Sequence, residues 1–226
     1  MKLYFVGIGP GEPQLITYKA YNILSSVKLL FYPTGGKNSL ALKIIENFFN
    51  LNDKQLIELY FPMKKSETLK EHWEALSDRI FTFLQESKLG ALITLGDPAF
   101  YSTSYYLKDF LLKRGIVLEV IPGISSFSAT SAKLLSPLTL GEEEAVITIG
   151  EKVIKNEELY RKFDSIVVLK CHKFIAPLLA FAQNNNYEVY IGHRVSMPEE
   201  ALLENPQEIP QENWDYFTLM ILRRKK

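Results

Sequence analysis

The sequence has little of several features that define whole classes of protein. Its 226 residues include one cysteine, Cys171, which excludes an intramolecular disulfide and a zinc site of several cysteines. Lysine plus arginine (26) equals aspartate plus glutamate (26), so no net charge attracts nucleic acid or an anionic membrane surface. No apolar run reaches the ~18 residues of a membrane span. We therefore expect a cytoplasmic protein without a nucleic-acid or membrane partner.

What is present is typical of a folded α/β protein. Apolar residues make up 47% of the chain, and short apolar runs alternate with segments of helical spacing, which indicates strands buried in a parallel sheet. We predict two α/β domains, residues 1–117 and 118–226, the second opening with the strand at 117–121. The predicted strands are 3–8, 27–32, 56–61, 90–95, 117–121, 145–149, 165–169, 187–191 and 216–222, and the predicted helices are 15–24, 39–49, 68–86, 102–114, 125–135 and 174–184.

A glycine-rich loop, Gly7-Ile8-Gly9-Pro10-Gly11, follows the first predicted strand. Glycines at such a place let the backbone approach a pyrophosphate in dinucleotide-binding folds. However, Glu12 stands where that fingerprint has its third glycine, and Pro10 and Pro13 lack amide donors. A dinucleotide-dependent oxidoreductase is therefore disfavoured, while a plain turn and a loop that approaches another ligand both stay open.

Two more loops of this kind end predicted strands, Leu95-Gly96-Asp97-Pro98 and Pro122-Gly123-Ile124-Ser125-Ser126. Each has a purely structural reading, because Asp before Pro starts turns and Ser125 or Ser126 can cap a helix. Ligands of open parallel sheets bind outside the carboxyl ends of the strands. The three loops together therefore predict one binding cleft.

These loops carry three motifs that resemble the signatures of the tetrapyrrole methylases, which use S-adenosylmethionine to methylate corrin and sirohaem precursors. The motifs are VGIGPGEPQLIT at 6–17, GDPAFYST at 96–103 and VIPGISSFSA at 120–129. The segments Phe31-Tyr32-Pro33, Phe61-Pro62-Met63 and Tyr101-Ser102-Thr103 are most similar to the branch of this family that methylates carbon 20 of precorrin-2 or cobalt-factor II in cobalamin biosynthesis.

The resemblance implies two α/β domains, S-adenosylmethionine in the cleft between them, a tetrapyrrole substrate and a homodimer. It implies cofactor contacts for Pro10, Leu95, Gly96, Asp97, Phe100, Ser125, Ser126, Lys170 and Thr218. Some relatives hold a methionine at the position of Lys170, so only its backbone contact carries over. For the substrate we predict that Tyr32 and Met63 wall the acceptor pocket and that Arg194 pairs with a substrate carboxylate.

We assign no catalytic base from the sequence, because methyl transfer from a sulfonium mainly requires that the methyl donor and the acceptor carbon be held in line. The three histidines, His72, His172 and His193, lack metal-ligand spacing, and we expect no metal site. The alternatives are a methyltransferase of the same fold acting on another corrin carbon, a diphthamide precursor or ribosomal RNA, and a non-enzymatic interaction domain. The neutral charge disfavours RNA.

Overall fold

A computed structural model describes residues 1–35, 38–62, 69–206 and 214–225. The chain divides into two compact units, Met1–Ser125 and Ser126–Lys226, and each of them carries a five-stranded sheet in the described ranges. The predicted fold class of two α/β domains is confirmed at this level. Among the residues so described, no helix has the length and apolar character that crossing a membrane requires.

The sheet of the first unit is parallel throughout, with the strand order β3-β2-β4-β1-β5. All its strands therefore end at the same edge of the sheet. The strands are β1 (Lys2–Gly7), β2 (Leu29–Thr34), β3 (Gln55–Tyr60), β4 (Leu89–Thr94) and β5 (Val117–Ile121), and the helices are α1 (Tyr18–Ser26), α2 (Leu40–Glu46), α3 (Leu69–Ser87) and α4 (Lys108–Lys113). Short 3₁₀ turns at Pro13–Leu15 and Thr103–Leu107 precede α1 and α4.

Apolar side chains cover both faces of this sheet, as the continuous apolar runs predict. Successive strand residues point to opposite faces, so Phe5 packs in one core cluster and its neighbour Val6 in another. Helix α3 covers the first face with Trp73 and Ile80 among its buried residues. Parallel strands covered on both sides are typical of α/β proteins.

The second unit has a mixed sheet with the order β6-β7-β10-β8-β9. Strands β6 and β7 are parallel, whereas β10 runs antiparallel to both of its neighbours, β7 and β8. The strands are β6 (Ala145–Ile149), β7 (Ser165–Leu169), β8 (Tyr187–His193), β9 (Ala201–Glu204) and β10 (Thr218–Arg224), and the helices are α5 (Ser126–Lys133), α6 (Gly150–Lys155), α7 (Glu157–Tyr160) and α8 (Ile175–Asn184).

Several elements differ from the sequence prediction. Strand β5 is hydrogen-bonded to β1 in the first sheet, so the division at Ser125 and Ser126 falls after β5, whereas the predicted boundary at 117/118 falls at its start. Strand β9 lies where a polar loop is predicted, because four residues are too few to show a period. The predicted helix at 102–114 is a 3₁₀ turn followed by the short α4.

Candidate active site

The loops that follow β1, β4 and β5 meet at the carboxyl edge of the first sheet. The Gly9 amide donates to the Gly96 carbonyl (3.2 Å) and the Gly96 amide donates to the Gly9 carbonyl (2.7 Å). A Cβ atom on Gly123 would lie 2.1 Å from the Gly96 carbonyl oxygen, and one on Gly7 would lie 2.6 Å from the Gly123 nitrogen. Because these neighbours are backbone atoms, side chains cannot be accommodated there. The predicted convergence of the three loops is confirmed.

Gly96 combines a left-handed backbone conformation with open space. Its φ is +70°, and a Cβ atom would meet only the Ile124 carbonyl oxygen, at 4.0 Å, within contact range. Close packing inside the protein therefore does not explain a glycine here. The positive φ favours glycine, and the half-buried backbone edge, open where a Cβ would lie, suits the close approach of a ligand. Gly115 has the same φ, and nothing lies within 4 Å of its would-be Cβ, which makes it a matched reference position.

The other predicted cofactor residues of the first unit differ in how far they are exposed to solvent. Asp97 takes part in a turn, as a residue before proline can, since its Oδ1 accepts from the Ala99 amide at 2.9 Å. Phe100 is 39% exposed and Pro10 is buried. Leu95 is half-buried and Ser125 is 8% exposed, directly before α5, whose first residue is Ser126. Their roles toward a ligand stay predictions.

Hydroxyl groups below the Gly96 loop fix the segment that follows it. The Thr94 and Ser102 hydroxyls lie 3.0 Å apart, and the Ser102 and Ser104 hydroxyls lie 2.7 Å apart. Tyr101, directly before Ser102, has φ +53° and is 48% exposed. A left-handed aromatic residue is uncommon, and such residues cluster at functional sites. The motif at 96–103 includes Ser102, whereas Thr94 and Ser104 lie outside it.

The second unit places Lys170 and Arg194 directly after β7 and β8. Both are left-handed, with φ +52° and +45°, and Ser196 follows with φ +65°. These three non-glycine residues follow two strands that β10 separates in the sheet, and their conformation marks two locally strained turns. The Lys170 ammonium lies 5.7 Å from the centre of the Tyr216 ring.

Arg194 is held by acidic side chains of its own unit. Its Nε and Nη2 donate to Asp215 Oδ2 at 3.0 and 2.8 Å, and its Nη1 donates to Glu199. The Asp215 carboxylate raises the pKa of Arg194 further, and its Oδ1 accepts from the Phe217 amide at 2.8 Å. A substrate carboxylate would therefore have to share the guanidinium with Asp215. The predicted contact between Arg194 and substrate stays a prediction.

Thr218 is 1% exposed, and its hydroxyl lies 2.9 Å from His193 Nδ1, its cross-strand neighbour. Asp215 Oδ1 lies 3.8 Å from the same ring nitrogen. The thiol of Cys171 donates to the Thr218 carbonyl at 3.4 Å, and burial raises the pKa of Cys171 to about 12, which excludes a thiolate nucleophile at neutral pH. Sequence reasoning considered His193 only as a histidine without metal-ligand spacing and did not single out Asp215, because neither lies in a recognisable motif.

Tyr32 is half-buried near the carboxyl end of β2 and lines a cavity of about 550 Å³. Met63, the second predicted wall of the acceptor pocket, lies outside the described residues. In the ranges that the structure covers, no group of three or more His, Cys, Asp or Glu side chains could hold a metal ion.

Comparison with known proteins places the chain in a family. The sequence profile of the Tetrapyrrole (Corrin/Porphyrin) Methylases matches residues 2–209, and the chain belongs to this family. It is 34% identical to the "Probable cobalt-precorrin-2 C(20)-methyltransferase" of Methanocaldococcus jannaschii, over 100% of this chain and 97% of that protein. The Salmonella typhimurium "Cobalt-precorrin-2 C(20)-methyltransferase" is 32% identical over 79% of this chain and 76% of its own length.

Solved structures share the fold at lower sequence identity. A cobalt precorrin-4 methyltransferase has a TM-score of 0.76 at 17% identity, covering 98% of this chain and 94% of its own. A second structure is the uroporphyrin-III C-methyl transferase of Thermus thermophilus complexed with S-adenosylhomocysteine. Its TM-score is 0.69 at 18% identity, and the match covers 99% of this chain and 97% of that chain. The two-unit α/β architecture is therefore that of known tetrapyrrole methyltransferases.

Proposed function

We propose that this chain transfers a methyl group from S-adenosylmethionine to carbon 20 of precorrin-2 or of its cobalt complex, in cobalamin biosynthesis. The observation that carries the proposal is the 34% identity over the whole chain to a protein named for this reaction. A second relative, the Sinorhizobium "Precorrin-2 C(20)-methyltransferase", is 24% identical over 98% of this chain. The two names differ in the metal content of the acceptor, so both acceptors stay in the proposal.

The backbone edge at Gly96 supports the use of S-adenosylmethionine, because its open side accepts a ligand that a side chain would exclude. Bound there, this compound supplies an electrophilic methyl group on a sulfonium. Leu95, Asp97 and Phe100 would contact it from the same loop. The main task of these residues is positioning, since alignment of two reactants within about 3 to 3.5 Å accounts for much of the rate enhancement in such reactions.

On the substrate side, Tyr32 would contact the flat macrocycle beside the cavity at β2. Carbon 20 belongs to an enamine-like system of the reduced tetrapyrrole and is itself nucleophilic. Which carbon reacts then depends on how the pocket orients the ring. We also propose that the chain acts as a cytoplasmic homodimer, which light scattering of the purified protein would test as a mass of twice 25.9 kDa.

Two measurements test this function. Calorimetric titration should show binding of S-adenosylhomocysteine and no binding of NAD. Incubation of both acceptors with a carbon-13-labelled methyl donor should give a product whose NMR spectrum shows a new methyl group on the meso carbon C20. A label on a ring carbon such as C11 or C17 would instead support the second candidate, a methyltransferase of the same family with another position. That candidate has some support, since a cobalt-precorrin-4 C(11)-methyltransferase is 29% identical over 67% of this chain.

A further inference from the structure

The cavity of about 550 Å³ in the first unit lies between the carboxyl ends of β2 and β3 and the start of α2. Strand β2 contributes Tyr32 and Thr34, β3 contributes Glu58, and α2 with its N-cap contributes Ser39, Lys43 and Glu46. The wall is thus polar and carries the two carboxylates of Glu46 and Glu58 and the ammonium group of Lys43. It opens at the edge of the sheet where ligands of parallel sheets bind.

Glu58 has a defined place in this wall. It is the direct cross-strand partner of Tyr32, so both side chains point to the same face of the sheet. The Thr34 hydroxyl, on a residue that is 7% exposed, donates to Glu58 Oε1 at 2.7 Å. This bond orients the carboxylate, while the side chain itself is exposed to solvent and has a second oxygen, Oε2, that can take up a proton.

The buried hydroxyl groups of the cavity are tied to the backbone or to Glu58. Ser39 Oγ donates to the Pro33 carbonyl at 2.7 Å and accepts from the Leu42 amide at 3.2 Å, so it caps α2. Thr34 is directed toward Glu58. The ionisable groups that line the cavity with Glu58 are Tyr32 on β2 and Lys43 and Glu46 on α2. Glu58 is the carboxylate that a buried hydroxyl orients beside Tyr32.

Methylation of a meso carbon leaves a proton to be removed. The π electrons of the macrocycle form the new bond from C20 to the methyl carbon, and the electron pair of the broken carbon–sulfur bond stays on sulfur. C20 then carries both a methyl group and a hydrogen, and the macrocycle has gained one positive charge. Breaking the C20–H bond returns its electron pair to the π system and releases one proton, and no oxidant or reductant is needed.

We infer that Glu58 is the catalytic residue that accepts this proton and that Thr34 positions its carboxylate. The inference rests on the proposed function, since it requires an acceptor seated beside Tyr32. A carboxylate is a suitable general base for a carbon acid next to a cationic conjugated system, and a positioned base typically contributes about a hundredfold or more to rate.

The experiment compares Glu58→Gln with Glu86→Gln, which removes the same charge from an exposed position on α3. Glu58→Gln should lower kcat about a hundredfold, with the equilibrium affinities for the acceptor and for S-adenosylhomocysteine changed little. With an acceptor deuterated at C20, the primary isotope effect on turnover should rise in Glu58→Gln, because loss of the C20 proton becomes slower than methyl transfer. Thr34→Val should give the same isotope signature with a smaller, roughly tenfold loss.

Equal kcat values for Glu58→Gln and Glu86→Gln would overturn the inference. A loss confined to KM, without a larger isotope effect, would also overturn it, because Glu58 would then only bind substrate. The carbon methylated by the wild-type protein is established first. If it is not C20, the proposed function fails, and this inference fails with it before any variant is compared.

Discussion

The two units hold the loops at the carboxyl ends of their strands by different kinds of contact. In the first unit, Gly7, Gly96 and Gly123 bring backbone atoms so close that no side chain fits at Gly7 or Gly123. In the second unit, left-handed Lys170 and Arg194 follow strands β7 and β8, and side chains such as Asp215 hold the segment. The loops of the first unit are therefore held by contacts between backbone atoms. The segment of the second unit is held by particular charged side chains.

The largest effect is expected where backbones touch. Gly123→Ala would put a Cβ atom 2.1 Å from the Gly96 carbonyl oxygen, so we expect a loss of about 3 kcal/mol in the free energy of unfolding and loss of S-adenosylhomocysteine binding. Urea denaturation and calorimetry measure the two effects. Gly141→Ala is the control, since Gly141 has φ +59° and open space around it and should cost only about 1 kcal/mol. Gly123 itself has no positive φ, so a loss at Gly123 no larger than the loss at Gly141 would contradict the close contact between the loops.

The next effect separates strain from ligand contact at Gly96. Gly96→Val and Gly115→Val both place a branched residue at φ +70°, so both should lose a similar 1 to 2 kcal/mol of stability, about the cost of the left-handed conformation. Gly96→Val alone should weaken S-adenosylhomocysteine binding by about a hundredfold or more, roughly 2.7 kcal/mol. If a folded Gly96→Val protein binds as well as Gly115→Val, Gly96 serves only the turn.

A smaller effect is expected for the charged edge of the second unit. Arg194→Ala should weaken substrate affinity about tenfold, or ~1.4 kcal/mol, because the guanidinium is already shared with Asp215. Cofactor affinity should hardly change. The control is Arg161→Ala, which removes an exposed i,i+3 pair with Glu158. If the affinities for cofactor and substrate fall together, Arg194 acts by holding the segment around Asp215 and not by contacting substrate.

The smallest effect concerns the two ion pairs that Lys2 and Lys19 form with Glu119 at the surface of the first unit. Hydrogen bonds from Lys19 and Lys2 lower the pKa of Glu119 on β5 to about 2. A carboxyl whose pKa is lower in the folded state contributes stability above its unfolded pKa of about 4.3, and the contribution is lost as the pH falls toward 2. Glu119→Gln should remove this part of the acid dependence of unfolding, and salt should weaken it in the wild-type protein.

Glu143 provides the matched case in the second unit. Its pair with Arg223 spans 2.7 Å, with side chains that are only 17% and 11% exposed. Salt screens such a pair less, so Glu143→Gln should cost more stability than Glu119→Gln at every salt concentration. A larger cost for Glu119→Gln in high salt would contradict the comparison.

The same difference between backbone and side-chain contacts explains what the sequence could predict. Glycines at strand ends leave a clear pattern, so the loops at Gly9, Gly96 and Gly123 and their convergence are predictable. The partnership of His193 with Thr218 depends on the pairing of β8 with β10, which no local pattern records. Asp215 lies in the loop before β10 and contacts Arg194, which lies 21 positions away in the sequence.

The assignment of β5 shows a second limit of local patterns. The sequence predicts this strand correctly at 117–121, but nothing in five residues indicates which sheet it joins. Its register with β1, from Lys2 against Val117 to Val6 against Ile121, is a long-range pairing. Glu58 was likewise not a candidate, because its significance depends on lying across from Tyr32.

The position of β10 has a consequence for how the chain is made. This strand is the last in sequence, yet it lies in the middle of the second sheet and joins β6-β7 to β8-β9. The first sheet is complete once β5 has left the ribosome, so we expect the first unit to fold during translation. The second sheet has to wait for residues 218–224, and until then the pairs β6-β7 and β8-β9 are separate, with the edges of β7 and β8 lacking the partner that β10 later provides. Premature termination before Thr218 should therefore leave a folded first unit attached to a protease-sensitive remainder.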